Sequence, residues 1–210
     1  MKKLALLALV VMTLFPNLNA QKAPADIQLP DPKIEGGMPL MEALKNRATI
    51  REYSDKALDN QQLANLLWAA CGVNRPDGKR TAPTARNAQQ IDVYVYTEKG
   101  VYLYVAEKNL LKGVVAGDHR ADAAMQPFAA KCPILLVFVA NYDKMKGFND
   151  EAREFYGATD AGYVSQNVYL YCASEGLATV VLGSIHRDKI KDLLGFNGKA
   201  ILGQPVGFQK

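Results

Sequence analysis

The stretch that constrains the fold most is DAGYVSQNVYLYCASEGL, residues 160–177. Ala161, Val164 and Val168 recur at three- or four-residue spacing, which places apolar side chains on one face of a helix. The glycine before the final leucine suits the left-handed conformation that commonly ends a helix. We therefore predict a helix over residues 149–175 and expect it to be the longest in the chain.

Strand patterns precede this helix. Residues 133–140 form a continuous apolar run of strand length, typical of a strand covered on both faces, and we place it at the centre of a sheet. Residues 91–96 and 101–105 are rich in β-branched and aromatic side chains and are separated by a turn at 97–100. This spacing predicts a β-hairpin.

The remaining elements follow from spacing and from helix-ending residues. A short helix begins at Pro39 and stops before Arg47, and a second one is capped by Asp59 or Asn60 and ends at Gly72. Further predicted elements are a helix over 121–131, a strand over 178–182, a helix over 187–194 and a strand near 200–204. This mixture predicts an α+β domain.

The N-terminus has the pattern of an export signal. Lys2 and Lys3 precede the apolar run 4–15, which is too short to span a bilayer as a helix. Cleavage near Ala20 would leave no cysteine at the new terminus for a lipid anchor. We expect an exported protein, periplasmic or secreted and without a stable membrane anchor.

We therefore divide the chain into three parts. Residues 1–20 are the predicted signal peptide. The Pro-rich residues 21–37 are predicted to be an extended arm rather than a packed element, and residues 38–210 the folded domain.

Composition excludes several function classes. Without the two leader lysines, 23 basic residues face 21 acidic ones with no basic run, so we expect no nucleic-acid partner. The three cysteines are odd in number and have apolar neighbours, which favours buried thiols over disulfides. Asp118, His119 and Asp122 resemble a solvated turn more than a metal site, and we expect no metal. Dinucleotide-binding, phosphate-loop and hydrolase motifs are absent from the sequence.

Two polar segments combine cations with small residues. Arg47-Ala48-Thr49-Ile50-Arg51 places two guanidinium groups and a hydroxyl on one side of an extended stretch, which suits an anion such as phosphate. Taken alone, the segment is better explained as an ordinary charged loop paired with Glu52 and Asp55. The second segment, Thr81–Gln89, carries the amides of Asn87 and Gln89, which can donate and accept hydrogen bonds as a flavin edge requires.

Together these segments resemble the nitroreductase family. Four motifs of the family follow one another in this chain, with Thr in place of Ser in the first two. They are Arg-x-Ser-x-Arg/Lys, Ala-Pro-Ser followed by Asn and Gln, a helix with Asp-x-Gly, Gln-Asn and a terminal Gly-Leu, and a C-terminal glycine turn with a final basic residue. The matching residues are Arg47, Thr49 and Arg51; Ala82, Pro83, Thr84, Asn87 and Gln89; Asp160, Gly162, Gln166, Asn167, Gly176 and Leu177; and 203–210. The resemblance covers Pro39 to Lys210.

The resemblance implies a central mixed or antiparallel sheet flanked by helices, and a homodimer that binds FMN at the subunit interface. It places Arg47 and Lys210 near the phosphate, Arg51 toward the pyrimidine side of the ring, and Asn87 at the ring edge. The backbone of Val181–Ser184 would approach flavin N5, although many relatives have an acidic residue followed by glycine at Gly183-Ser184. The implied cofactor-binding residues are Arg47, Ala48, Thr49, Arg51, Pro83, Thr84, Asn87, Gln89, Val181, Leu182, Gly183, Ser184 and Lys210.

The implied activity is electron transfer through the flavin, from a small-molecule donor such as NAD(P)H to a nitroaromatic, quinone or similar acceptor. The flavin carries the chemistry, so no protein side chain is expected to act as acid or base. An exported enzyme would meet little NAD(P)H. One alternative is an FMN-dependent dehydrogenase or oxidase of peptide-derived or other small substrates, which residues 72–83 favour. Another is a non-catalytic flavin-binding or redox-sensing protein.

Overall fold

A seven-stranded sheet forms the centre of the protein. The computed structural model describes residues 23–210, so the predicted signal peptide lies outside the described residues and stays a prediction. The strands lie in the order β1-β4-β3-β2-β5-β7-β6, and each neighbouring pair is antiparallel. They are β1 (Ile27–Gln28), β2 (Ile91–Tyr96), β3 (Gly100–Val105), β4 (Leu110–Ala116), β5 (Ile134–Asn141), β6 (Leu177–Thr179) and β7 (Gly198–Phe208).

Within residues 23–210, five α-helices accompany the sheet. They are α1 (Leu40–Asn46), α2 (Asn60–Cys71), α3 (Arg120–Ala123), α4 (Asp150–Glu175) and α5 (Arg187–Leu194). The 26-residue α4 is the longest, as predicted, and its C-cap Gly176 has a φ of 65°. The Asp59 side chain caps α2 by accepting from the Gln62 N–H. The predicted bounds of α1, α2 and α5 are confirmed within one or two residues.

The sheet has a buried core on each face. On one face, α2 and α4 cover the side chains of β2 and β5, and on the other, smaller α3 and α5 pack against the alternate side chains. All residues of β5 except Asn141 are buried, which confirms the prediction of a strand covered on both faces. The hairpin of β2 and β3 is also confirmed, with Tyr96 opposite Val101.

The predicted unpacked arm is wrong for part of its length. Ile27–Gln28 forms β1 and extends the sheet beside β4, while Leu29 is buried. A Cβ at Gly113 would lie 1.8 Å from the carbonyl oxygen of Pro24, so the arm passes in direct contact with β4. The stretch is extended, as expected, but its backbone is held by pairing with β4, a strand that the sequence patterns did not reveal.

The predicted helix over residues 121–131 is also wrong. Only α3 is helical there, and a short 3-10 turn forms at Ala129–Lys131. Pro127 disfavours helical conformation at the residue before it and cannot donate a backbone hydrogen bond. Ala124 is instead extended and forms an isolated bridge with Ile185.

The two C-terminal strands differ from prediction in length. β6 ends at Thr179 instead of Leu182, and β7 runs over eleven residues, well beyond 200–204. β6 ends early because the Val181 N–H donates to the Tyr169 hydroxyl at 2.9 Å instead of to a strand. Leu182 then pairs again with Gly203 as an isolated bridge.

The cysteines are buried, as predicted. Cys71, Cys132 and Cys172 are all free thiols. Burial raises the pKa of Cys71 to about 11 and that of Cys132 to about 12, and it raises the pKa of Cys172 further. Such thiols are poor nucleophiles at neutral pH. No helix within residues 23–210 combines the length and apolarity needed to cross a membrane.

Candidate functional site

The segment Arg47–Arg51 leaves α1 as an extended stretch along the edge of the domain. The Arg47 N–H closes α1 by donating to the Ala43 carbonyl, and the Ile50 N–H donates to the Thr179 carbonyl at 3.0 Å. Ala48, Thr49 and Arg51 are exposed. The segment is therefore anchored by its backbone while most of its side chains face solvent.

Tyr169 joins this segment to the one that follows β6. The Thr49 Oγ1 lies 3.0 Å from the Tyr169 hydroxyl, which also accepts the Val181 N–H at 2.9 Å. The Arg47 guanidinium carbon lies 5.2 Å from the centre of the Tyr169 ring, a cation–π distance. One buried tyrosine of α4 thus brings Arg47, Thr49 and Val181 together.

Sequence reasoning missed Tyr169. The residue falls within the apolar pattern of α4, and a buried tyrosine on that pattern is indistinguishable from an ordinary core residue. Only the hydroxyl could have given a signal, because buried tyrosine hydroxyls generally have hydrogen-bond partners. The sequence does not indicate which partners those are.

Arg51 and Lys210 lie at one open cavity of about 450 Å³, which is lined by Thr49, Ile50, Arg51, Glu52, Gln209 and Lys210. The C-terminal residues reach this cavity because Gln209 pairs with Tyr53 and the Ser54 N–H donates to the Phe208 carbonyl. The volume falls within the range of small-molecule sites.

Arg51 and Lys210 at this cavity, and Arg47 on the same extended segment, have no carboxylate partners in the described part of the chain. Within residues 23–210, Arg47, Arg51 and Lys210 form no ion pair, and the alternative of Arg47 and Arg51 paired with Glu52 or Asp55 is not observed. Two unpaired cations that line one cavity, Arg51 and Lys210, repel one another, so the cavity favours an anionic ligand.

The segment Val181–Ser184 lies next to Arg47 and Thr49 through the contact with Tyr169. Leu182 is buried and exchanges two backbone hydrogen bonds with Gly203, at 2.7 and 2.9 Å. Gly183 and Ser184 are exposed, and among residues 23–210 their N–H groups have no hydrogen-bond partner. These two donors are available to a ligand.

The second polar segment adopts an unusual backbone. Arg86, Asn87 and Gln89 all have positive φ, near 50°, which is uncommon for residues other than glycine. The Thr84 hydroxyl accepts the Gln89 N–H at 2.9 Å, and the Gln89 side chain donates to the Gly78 carbonyl. Such strain persists only where surrounding contacts hold it, and it is frequent at ligand sites.

This second segment lies elsewhere on the subunit. The buried Asp160 of α4 anchors it by accepting from the Ala85 N–H at 2.9 Å and from the buried Gln90 side chain. Asp160 precedes Tyr169 by nine residues, which corresponds to about 13 Å along the helix and about half a turn around it. The segments anchored by Asp160 and Tyr169 therefore contact opposite sides of α4. The segment anchored by Asp160 contains Pro83, Thr84, Asn87 and Gln89. The segment anchored by Tyr169 contains Arg47 and Thr49.

Comparisons with known proteins agree with the fold and motifs. A model described as the nitroreductase family matches residues 44–208. A protein of Methanocaldococcus jannaschii assigned to the nitroreductases is 34% identical over 192 residues, which cover 87% of this chain and 96% of that protein. An FMN reductase (NAD(P)H) of Bacillus subtilis is 23% identical over 158 residues, 70% of this chain and 54% of that protein.

A solved structure confirms the predicted nitroreductase-like fold. A crystal structure of a Ralstonia eutropha protein, described as a nitroreductase, matches with a TM-score of 0.84 and 39% identity. The match covers 89% of this chain and 90% of that one. This chain is a member of the nitroreductase family.

Proposed function

We propose that this protein is an FMN-dependent oxidoreductase that works as a homodimer. The observation that carries the proposal is the pair of unpaired cations Arg51 and Lys210 at an open cavity, with Arg47 bound beside Tyr169 on the same extended segment. FMN has one phosphate and a ring edge that accepts hydrogen bonds, so the donor set fits it. The absence of a dinucleotide-binding motif from the sequence favours FMN over FAD.

Each side chain of this group has a different proposed task. Arg47 and Lys210 would bind the phosphate, since a guanidinium can donate two parallel hydrogen bonds to it. Thr49 would add a hydroxyl donor beside them. Arg51 would lie toward the pyrimidine side of the ring, where a fixed cation stabilises the negative charge of reduced flavin. The N–H groups of Gly183 and Ser184 would face the central ring.

A second copy of the chain would complete the site. Because the 83–89 segment and the 47–51 segment lie on opposite sides of α4, one cofactor that uses both would take them from two protomers. The strained backbone at Arg86, Asn87 and Gln89 supports a ligand role for the first of these segments. Each homodimer would then contain two equivalent sites, as closed two-fold symmetry requires.

Exposed apolar side chains on α1 and α4 support the dimer. Met41 is 77% exposed and Phe155 63% exposed, and Leu40 and Tyr163 are also exposed. Monomeric soluble proteins rarely leave many large apolar side chains in contact with water on neighbouring elements. We propose that these helices form the interface between protomers.

Bound FMN would supply hydride transfer, from a reduced nicotinamide or similar donor to a quinone or nitroaromatic that also takes up one solvent proton. The quinone becomes the hydroquinone, and the nitro group becomes nitroso with release of water. The protein binds and orients the flavin and leaves one face open. No side-chain acid or base is needed for these steps.

Turnover tests this function directly. FMN-loaded protein is assayed with NADH or NADPH and with menadione or nitrofurazone, and dithionite-reduced protein serves for acceptor reactions without a nicotinamide. We expect reoxidation of the reduced flavin by menadione to be faster than that of free reduced FMN at equal concentration. Binding of FMN without any acceleration of this reaction would instead support a flavin-binding protein without turnover.

A further inference from the structure

Arg187 connects three backbone carbonyls near the proposed ring-binding segment. Its side chain extends from the first turn of α5, and Nη2 donates to the Gly183 carbonyl at 2.9 Å and to the Ile201 carbonyl at 3.0 Å. Nε donates to the Ala200 carbonyl at 3.0 Å. One guanidinium therefore joins the segment after β6 to the first residues of β7.

The contact on β7 lies at a break in the strand pairing. Val139 pairs with Ala200 and Phe138 with Leu202, so Ile201 has no opposite residue in β5. Such a bulge leaves backbone groups without ladder partners and is frequent next to active sites. Arg187 satisfies the carbonyls at this bulge and extends the same interaction to Gly183.

The charge of Arg187 is not neutralised by a carboxylate within residues 23–210. No ion pair involves it there, and its three acceptors are neutral carbonyl oxygens. A neutral amide could satisfy some of these acceptors. The guanidinium adds a fixed positive charge at the proposed site, one peptide unit away from the exposed Ser184 N–H.

Peptide geometry then fixes where that N–H points. All peptide bonds in the described chain are trans, and in a trans peptide the C=O and the following N–H point in opposite directions. Because the Gly183 carbonyl points toward Arg187 and β7, the Ser184 N–H points away from them. A peptide whose carbonyl accepts from a cation is polarised, which strengthens its N–H as a donor.

We propose that Arg187 is a positioning residue for the flavin: it holds the Gly183–Ser184 peptide with its N–H toward the flavin N5, and its unpaired charge stabilises the reduced, anionic ring. This inference rests on the proposed function. It assigns to a residue outside the family motifs a part in setting the reduction potential of the cofactor.

The test uses Arg187→Gln and Arg187→Lys in the FMN-loaded protein. Gln keeps a donor but removes the charge, whereas Lys keeps the charge. We expect Arg187→Gln to bind reduced flavin about tenfold less tightly relative to oxidised flavin than wild type does. In a dye-coupled titration, this change corresponds to a reduction potential about 30 mV lower. Arg187→Lys should retain most of the wild-type potential. The matched control is Lys189→Gln, which removes a charge from the exposed face of α5 and should change the potential little.

A second measurement compares two flavins bound to the same protein. In 5-deaza-FMN a carbon replaces N5, so the analogue lacks the acceptor for the Ser184 N–H. Wild-type protein should bind FMN several-fold more tightly than 5-deaza-FMN, and this preference should shrink in Arg187→Gln.

The outcomes separate the inference from the function. Wild-type protein that binds no flavin would remove the proposed function and this inference with it. Normal FMN binding by wild type with equal affinity for 5-deaza-FMN would overturn the inference alone. A folded Arg187→Gln variant that binds FMN and keeps the wild-type reduction potential would also overturn the inference alone.

Discussion

Replacing Arg47 with alanine should weaken the binding of FMN far more than the binding of riboflavin. The Arg47 guanidinium lies over the Tyr169 ring and has no carboxylate partner in the described chain, so it is available to a phosphate. A charge-assisted hydrogen bond of this kind contributes about 1.5 to 3 kcal/mol. At about 1.4 kcal/mol per factor of ten, FMN affinity should fall about 10- to 100-fold. Riboflavin lacks the phosphate, so its affinity should change less than about threefold.

Equilibrium dialysis of FMN and riboflavin against the same protein preparations measures this difference. Lys56→Ala is the matched control, because Lys56 is an exposed cation whose ammonium lies 4.1 Å from the centre of the Phe208 ring instead of over Tyr169. Arg51→Ala should keep FMN affinity but lower the flavin potential by a few tens of millivolts, at about 30 mV per 1.4 kcal/mol. Equal losses for FMN and riboflavin in Arg47→Ala would refute the assignment of Arg47 to the phosphate.

Three further outcomes are expected. Tyr169→Phe should destabilise the flavin-free protein by about 1 to 3 kcal/mol in urea unfolding, because the Val181 N–H loses its acceptor. Phe155→Asp should convert the dimer to a monomer by light scattering and abolish FMN binding; a monomeric variant with intact binding would contradict the shared site. Since the pKa of Cys132 is raised to about 12, native protein at pH 8 should resist iodoacetamide there until it is unfolded, and rapid labelling would show that the site opens.

Local signals predicted the elements that end at well-defined caps. The bounds of α5 agree with the sequence, and α4 was found because its apolar face repeats over many turns before Gly176 ends it. The hairpin of β2 and β3 was visible because alternation and turn residues lie within one short window. In each case, the information that determines the element is local.

The elements that depend on distant partners were not predictable. The arm is held by β4 and Gly113, far along the chain, and Ala124 leaves the helical conformation for a bridge with Ile185, whereas Pro127 was a local sign against the helix over residues 121–131. These contacts leave no periodic pattern.

The candidate site divides in the same way. The cations and loop amides follow from motifs, whereas the contacts of Tyr169 and Arg187 depend on tertiary packing. Tyr169 and Arg187 are single residues on α4 and α5, and the apolar and polar spacing of each helix is fully explained by its buried and exposed faces. Their hydrogen bonds to Val181 and Gly183 appear only once α4, α5 and β7 are assembled.

Identifying and counting the cofactor in the purified protein tests the central claim most directly. We expect absorption maxima near about 370 and 450 nm, as for any oxidised flavin. Chromatography of the heat-released cofactor should yield FMN, and light scattering with absorbance should give one FMN per protomer in a dimer. FAD in place of FMN, binding of FMN by a monomer, or no binding of added FMN would contradict the claim.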